Sequence, residues 1–201
     1  MFCMHAFARI SCIILSAGSS FRMGEHKALL GFGNSGATFL EKITATYADS
    51  GIGKVVVVVS DELNEKIGLA NLNLSENVHL VVNHHPEKGR FFSLKTGMAY
   101  IEEGFSVFLQ NVDNPFIYPD LLTAMVRVEE DGEVIMPVCQ GKAGHPVLMN
   151  HRVCKAVAEE CNPEIRIDQF LSKFRRIPVL TDHDDILINI NTPVDYALAF
   201  P

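Results

Sequence analysis

The sequence has no apolar run near the ~18 residues that a membrane-spanning helix requires. Its unbroken apolar stretches, such as Ile13-Ile14-Leu15 and Val55 to Val59, are the size of strands. Basic residues are not in excess: 17 Lys and Arg stand against 24 Asp and Glu, a formal net charge of −7. That balance excludes the electrostatic footprint of a nucleic-acid binder or of a polybasic membrane surface. Cysteine is sparse and unpatterned. Cys3, Cys12, Cys139, Cys154 and Cys161 are odd in number and form no CxxC pair, so reduced thiols and a cytoplasmic location are expected, with no disulfide framework and no zinc site. Repeats, low-complexity tracts and linkers are absent, and 48% hydrophobic with 20% charged residues excludes a disordered chain. At 201 residues the expectation is a single domain over residues 1–201. The opening MFCMHAFARISCIIL lacks the leading basic region of a signal peptide and has too short an apolar part; it reads as a short leader and a first strand.

What is present is an alternation of strand-like and helix-like segments. Strands are expected at Ser11–Leu15, Lys54–Ser60, Val78–Asn83, Phe105–Gln110, Glu133–Val138, Val147–Met149 and Ile186–Ile190. Helices are expected at Phe39–Ala48, from Asp61, at Ser93–Glu102, Asp120–Val128, Arg152–Cys161 and Arg166–Phe174, and from the Thr192-Pro193 cap. Five consecutive valines suit a parallel strand covered on both faces. The pattern predicts an α/β fold: a doubly wound, mostly parallel sheet with helices on both faces. Ligands of such sheets sit beyond the carboxyl ends of the strands, where strand order reverses, which directs attention to the loops that follow strands.

The loop after the first strand reads LSAGSSFRMGEHK, Leu15 to Lys27. A Gly/Ser turn can aim several backbone N–H groups at one anion. Arg22 adds a planar fork matched to phosphate oxygens and Lys27 a mobile point charge. The chemistry is that of a phosphate cradle. It is not a Walker loop, because five residues separate Gly18 from Gly24 and no Gly-Lys-Ser/Thr follows; nor is it GxGxxG. Taken by itself, such a loop could equally be an ordinary surface turn.

The whole string resembles the signature L-A-A-G-x-S-x-R-M-G-x-x-K of the MobA/MocA-like NTP transferases, with Ser16 as the one departure. KGRFFSLKTG (Lys88 to Gly97), VDNPF (Val112 to Phe116) with GHPVLM (Gly144 to Met149), and NINTPVDY (Asn189 to Tyr196) follow in that family's order. The resemblance spans almost the full chain. It implies a Rossmann-like fold of the nucleotide-diphospho-sugar transferase type and a Mg²⁺-dependent transfer of a nucleoside monophosphate to a phosphorylated acceptor such as molybdopterin, with release of pyrophosphate. A phosphate monoester is already ionised near neutral pH, so no general base is called for.

Residue by residue, the resemblance implies that Ala17, Gly18, Ser19, Ser20 and Gly24 cradle the triphosphate. Arg22 would hold its β- and γ-phosphates, and Lys27 the charge on the α-phosphoryl. Asp113, with Asn189 or Asn191 and a preference for Asn189, would hold Mg²⁺. Gly89 and Ser93 would close over base and ribose, Ser93 capping the next helix, while His145 and Arg166 would line the acceptor side. Ala17-Gly18, where the guanylyl branch has Gly-Gly, favours CTP over GTP. Val112 and Asn114 depart from the family's usual residues, as does Asn162-Pro163-Glu164 in place of a Gly-Asp run, and at Asn189, where the family carries Asp or Asn, the neutral residue stands.

Three other readings remain open: a related enzyme that uses a sugar phosphate or an isoprenoid-precursor alcohol, a nucleotide-binding module without catalysis, and, least favoured by the broken GxGxxG, a dehydrogenase. His84-His85 and His183-Asp184-Asp185 lack the i,i+4 spacing of a metal pair and read as solvated, and Cys139 as a buried thiol. The charge is uneven along the chain. Residues 1–40 carry Arg9, Arg22 and Lys27 against Glu25 alone, a local +2, so an acidic chain presents a positive phosphate loop. Nucleotide binding should then depend strongly on Mg²⁺.

Overall fold

The valine run sits at the centre of the fold. In the computed structural model, which describes residues 7–129, 132–162 and 164–201, β2 (Val55–Val59) lies parallel between β1 (Ile10–Ser16) and β3 (Val78–Val82). On its other side β1 pairs in parallel with β4 (Ser106–Asn111). Beyond β4 come β7 (Val147–Met149), antiparallel to it, and β5 (Val134–Cys139), antiparallel to β7. β6 (Lys142–Ala143) pairs with the end of β5, and β8 (Arg176–Leu180) runs parallel to β5, completing one mixed, mostly parallel eight-stranded sheet. Cys3, the leader 1–6 and Pro163 fall outside the described residues.

Side-chain alternation divides the core in two. Cys12, Ile14, Val55, Val57 and Val59 pack with α1 (Phe39–Asp49), α2 (Asp61–Ala70) and α4 (Pro119–Arg127). Ile13, Leu15, Val56 and Val58 pack with α3 (Arg90–Met98), α5 (His151–Glu159) and α6 (Ile167–Leu171). All five valines are fully buried, each contributing at most about 1.5–3 kcal/mol by area. α3 lies unusually close to the sheet at Gly97, where a Cβ would meet Ile13 Cγ2 and Val58 Cγ2 at 2.9 Å. Helix starts follow the expected chemistry. Thr38 with Glu41 and Thr192 with Asp195 form capping boxes, while Ser60 and Asn150 cap α2 and α5.

Four expectations need correction. The late strand over Ile186–Ile190 does not form. Residues Asp184–Leu187 make a 3₁₀ turn, and side chains and loop backbone, not a neighbouring strand, take up the polar groups that follow. The strand that does form is β8, Arg-Ile-Pro-Val-Leu, whose Pro178 hides it from a reading of the pattern. It pairs only with β5 among the described strands, and an edge strand tolerates a proline. α3 begins at Arg90, three residues earlier than expected, with Gly89 at the cap, so Ser93 lies inside the helix and does not cap it. Gly89 has φ +88° and ψ −178°, a region open only to glycine. The helix expected over Arg166–Phe174 is shortened to α6.

Candidate active site

Strand order reverses between β1 and β4, because β1 connects onward to β2 on its other side. A cleft of about 370 Å³ opens at the carboxyl ends of these two strands, where a doubly wound sheet binds ligands. Its wall contains Ala17, Gly18, Ser19, Ser20, Arg22 and Lys27 from the first loop, and Arg90, Ser93, Asn111, Asp113 and Asn191 from other segments. Four segments far apart in sequence thus meet at one place.

The loop is held by its own polar groups. Ser20, at φ +47°, accepts from Met23 N through its carbonyl at 2.8 Å and from Lys27 N through Oγ at 3.3 Å. Ala17 is buried beneath the loop, while Gly18, Ser19 and Arg22 are exposed toward the cleft. Lys27 enters on a 3₁₀ turn (Lys27–Leu29) and is largely buried. Its Nζ donates to Asn191 Oδ1 at 2.7 Å and lies 3.3 Å from Asp113 Oδ2. A carboxylate and a carboxamide oxygen therefore converge on one cation.

Asp113 stands on the turn after β4, fixed by Val112 N donating to Leu15 O and Asn114 N donating to Asn111 O, both at 3.2 Å. Asn114, one of the departures from the family's pattern, is fully buried. Its Nδ2 donates to Ile186 O at 2.8 Å and Ile188 O at 2.6 Å, and Ile190 N donates to Asp113 O at 2.7 Å. One carboxamide replaces the missing strand partner and anchors residues 186–190 against the Asp113 turn. The Asp195 carboxylate then accepts from Asn191 N and Thr192 N at 2.9 and 2.8 Å, which sets Asn191 at the cleft. These donors, with Arg22 nearby, hold the Asp195 carboxyl below its usual range.

Asn189 is exposed, does not line the cleft and directs Nδ2 back to Leu187 O. Gly24 also lies off the cleft wall, at φ +76° in the turn that follows Arg22. Ser93 is buried on the wall, where its Oγ accepts from Asn83 Nδ2 at 3.0 Å.

A second cavity of about 680 Å³ adjoins the first and shares Arg90 and Asn111 with it. Gly89, His145 and Arg166 line it. Arg166 is exposed and forms a two-pronged pair with Asp168, 3.0 Å on each arm, which leaves its charge largely balanced. His145 is displaced from the strand by a local insertion. Gly144 N still bonds Pro137 O and Leu148 pairs with Ile135, so the returning segment carries more residues than β5 opposite. Burial, then the nearby Arg90 charge, push the His145 pKa down to about 4, so the ring is neutral at pH 7. Among the described residues there is no cluster of three His, Cys, Asp or Glu that could hold a metal unaided, and no helix is long and apolar enough to cross a membrane.

Asn111, Asn114 and Asp195 were not assigned a role by sequence reasoning. Asp195 was readable as the fourth residue of Thr-Pro-Val-Asp, a capping box; Asn111 and Asn114 carry no local signal, because their partners are distant in sequence.

The family model for the MobA-like NTP transferase domain matches residues 12–178. A probable molybdenum cofactor guanylyltransferase of Bacillus mycoides is 25% identical over 197 residues, covering 93% of this chain and 94% of its own. The molybdenum cofactor cytidylyltransferase of Escherichia coli is 27% identical over 190 residues, covering 94% and 95%. Among solved structures, Rv0371c of Mycobacterium tuberculosis superposes with a TM-score of 0.78 at 19% identity, covering 95% of this chain and 97% of its own; another structure of that protein is its complex with manganese. The family model covers most of the chain and the curated relatives align over nearly all of it: the chain belongs to the MobA-like NTP transferase family.

Proposed function

We propose that the chain transfers a nucleoside monophosphate, CMP by preference, from an NTP to a phosphorylated acceptor of the molybdopterin type, with Mg²⁺ as cofactor. The observation that carries this reading is the convergence of Lys27, Asp113 and Asn191 beside an open Gly/Ser loop, with a second cavity adjoining. In the reaction an acceptor phosphate oxygen bonds to the α-phosphorus of the NTP. The bond from that phosphorus to the bridging oxygen breaks, and pyrophosphate leaves with the electron pair.

The backbone of Gly18, Ser19 and Ser20 would cradle the triphosphate, Arg22 would hold its outer phosphates, and Lys27 would neutralise charge growing on the α-phosphoryl oxygens. Asp113 Oδ2 and Asn191 Oδ1 suit a divalent cation. Both are hard oxygen donors that already face a single positive charge, and Mg²⁺ takes one or two protein oxygens with phosphate and water completing its shell. Bound there, the metal would draw charge from the phosphates. Asn191 replaces Asn189 in this role, and Gly24 serves the turn. Ser93 faces the nucleotide side and Gly89 the second cavity, with His145 and Arg166 on the acceptor side.

CTP as donor rests on Ala17-Gly18; the guanylyl reading is favoured by the Bacillus relative. The same reading takes residues 1–201 as one domain acting in the cytoplasm. The test is Asp113→Ala, assayed by pyrophosphate release with Mg²⁺, CTP and molybdopterin. Turnover should fall at least a hundredfold, and unchanged turnover would contradict the metal assignment.

A further inference from the structure

Two side chains line both cavities, Arg90 and Asn111, the latter buried at the end of β4. The Asn111 Oδ1 accepts from Arg90 at 2.5 Å and its Nδ2 lies 3.0 Å from His145 Nε2. Arginine can only donate, so the carboxamide oxygen must face Arg90 and the NH₂ must face the imidazole. Donation to Nε2 requires that nitrogen to be bare, which puts the ring proton on Nδ1. Nδ1 is buried and has no partner among the described residues. Arg90 borders both cavities, and one N–H of its guanidinium is committed to Asn111. Arg90 is exposed and its fork makes no other hydrogen bond among the described residues, which leaves donors at the junction, where the group to be transferred and the acceptor have to meet.

Resting on the proposed transfer, we propose that Asn111 is a positioning residue for the acceptor: its carboxamide fixes the Arg90 fork and the tautomer and tilt of His145, so that a phosphomonoester bridging the two cavities is held at Arg90. Arg90 touches the acceptor phosphate, and Asn111 acts through it. His145 forms the wall behind, locked as an uncharged ring. Arg90 and Asn111 also line the nucleotide cleft, but neither belongs to the phosphate loop or to the Asp113–Asn191 pair, so their larger effect should fall on the acceptor.

Two readouts on the full-length protein test this. The first is steady-state kinetics with Mg²⁺, CTP and molybdopterin. Asn111→Leu and Arg90→Ala should each raise the acceptor KM at least tenfold while the CTP KM stays within twofold. Asn111→Asp, which keeps the oxygen facing Arg90, should recover most of the acceptor KM. An acceptor KM within twofold of wild type in Asn111→Leu, or equal losses for both substrates, would overturn the proposal.

The second readout is ¹⁵N NMR of the histidine rings, with inorganic phosphate as the probe. His145 should be the Nδ1–H tautomer in the wild type and lose that preference in Asn111→Leu. Phosphate should shift the His145 signals in the wild type and leave them unmoved in Arg90→Ala. An Nε2–H ring, or the same phosphate response in both proteins, would overturn the proposal. A wild type that shows the tautomer and phosphate response but transfers nothing to molybdopterin would overturn the acceptor reading and leave the junction standing.

Discussion

Replacing Asn114 by Leu removes the anchor of the 186–190 segment while nearly preserving volume. The Ile186 carbonyl keeps a second donor, His145 N at 3.3 Å, whereas the Ile188 carbonyl loses its one partner among the described residues. Each lost hydrogen bond costs about 1 kcal/mol net, because Ile188 is exposed and its carbonyl can turn to water. The expected destabilisation is therefore about 2 kcal/mol, a sizeable part of a typical domain's margin. The consequence at the site follows from the chain path: residues 186–190 lead directly into Asn191, whose oxygen faces Lys27. With that segment loosened, the Mg²⁺–nucleotide Kd should rise about tenfold, as ~1.4 kcal/mol of preorganisation is lost. Urea denaturation gives the first quantity and isothermal titration with Mg²⁺ and CTP the second. Stability within 0.5 kcal/mol of wild type, on the order of an ordinary surface substitution, would refute the anchoring role. A large stability loss with an unchanged Kd would refute the link to Asn191.

Arg22→Ala should raise the NTP KM roughly tenfold or more, since a two-pronged contact to phosphate is a strong, charge-assisted interaction; Arg22→Lys should recover only part of it, as read from initial rates against CTP concentration. Native His145 has its pKa pushed down to about 4 against an unfolded value near 6.5, so between these values the unfolded chain binds more protons. Stability from this group is then fully present above about pH 6.5 and is lost as pH falls toward 4, by up to about 3 kcal/mol. His145→Gln should flatten that part of a urea-midpoint profile measured from pH 4 to 7, and an unaltered slope would contradict the buried neutral ring.

The sheet centre was legible because its signal is local: five valines in a row leave no other reading than a doubly covered strand. The cap at Thr192 was legible for the same reason, whereas Ser60, expected at the end of a strand, caps α2. β8 was not, since Pro178 argues against a strand unless the strand is known to lie at an edge. The segment Ile186–Ile190 has the composition of a strand, but its carbonyls are taken by Asn114, seventy residues away, which no periodicity reveals. At the site, the loop from Ala17 to Lys27 could be read from its chemistry and motif. The choice between Asn189 and Asn191 could not, because it turns on which way the chain faces after the Asp113 turn, and that is set by Asp195 and Asn114 together. Asn111 was hidden for a similar reason: its role exists only where α3, β4 and the insertion before β7 meet.

The central claim is tested most directly by pyrophosphate release, measured with each of the four NTPs and Mg²⁺ against molybdopterin, a sugar phosphate and an isoprenoid-precursor alcohol. The account predicts release with CTP and molybdopterin, abolished by chelation of the metal. Release only with the sugar phosphate or the alcohol, or nucleotide binding without turnover on any acceptor, would contradict it.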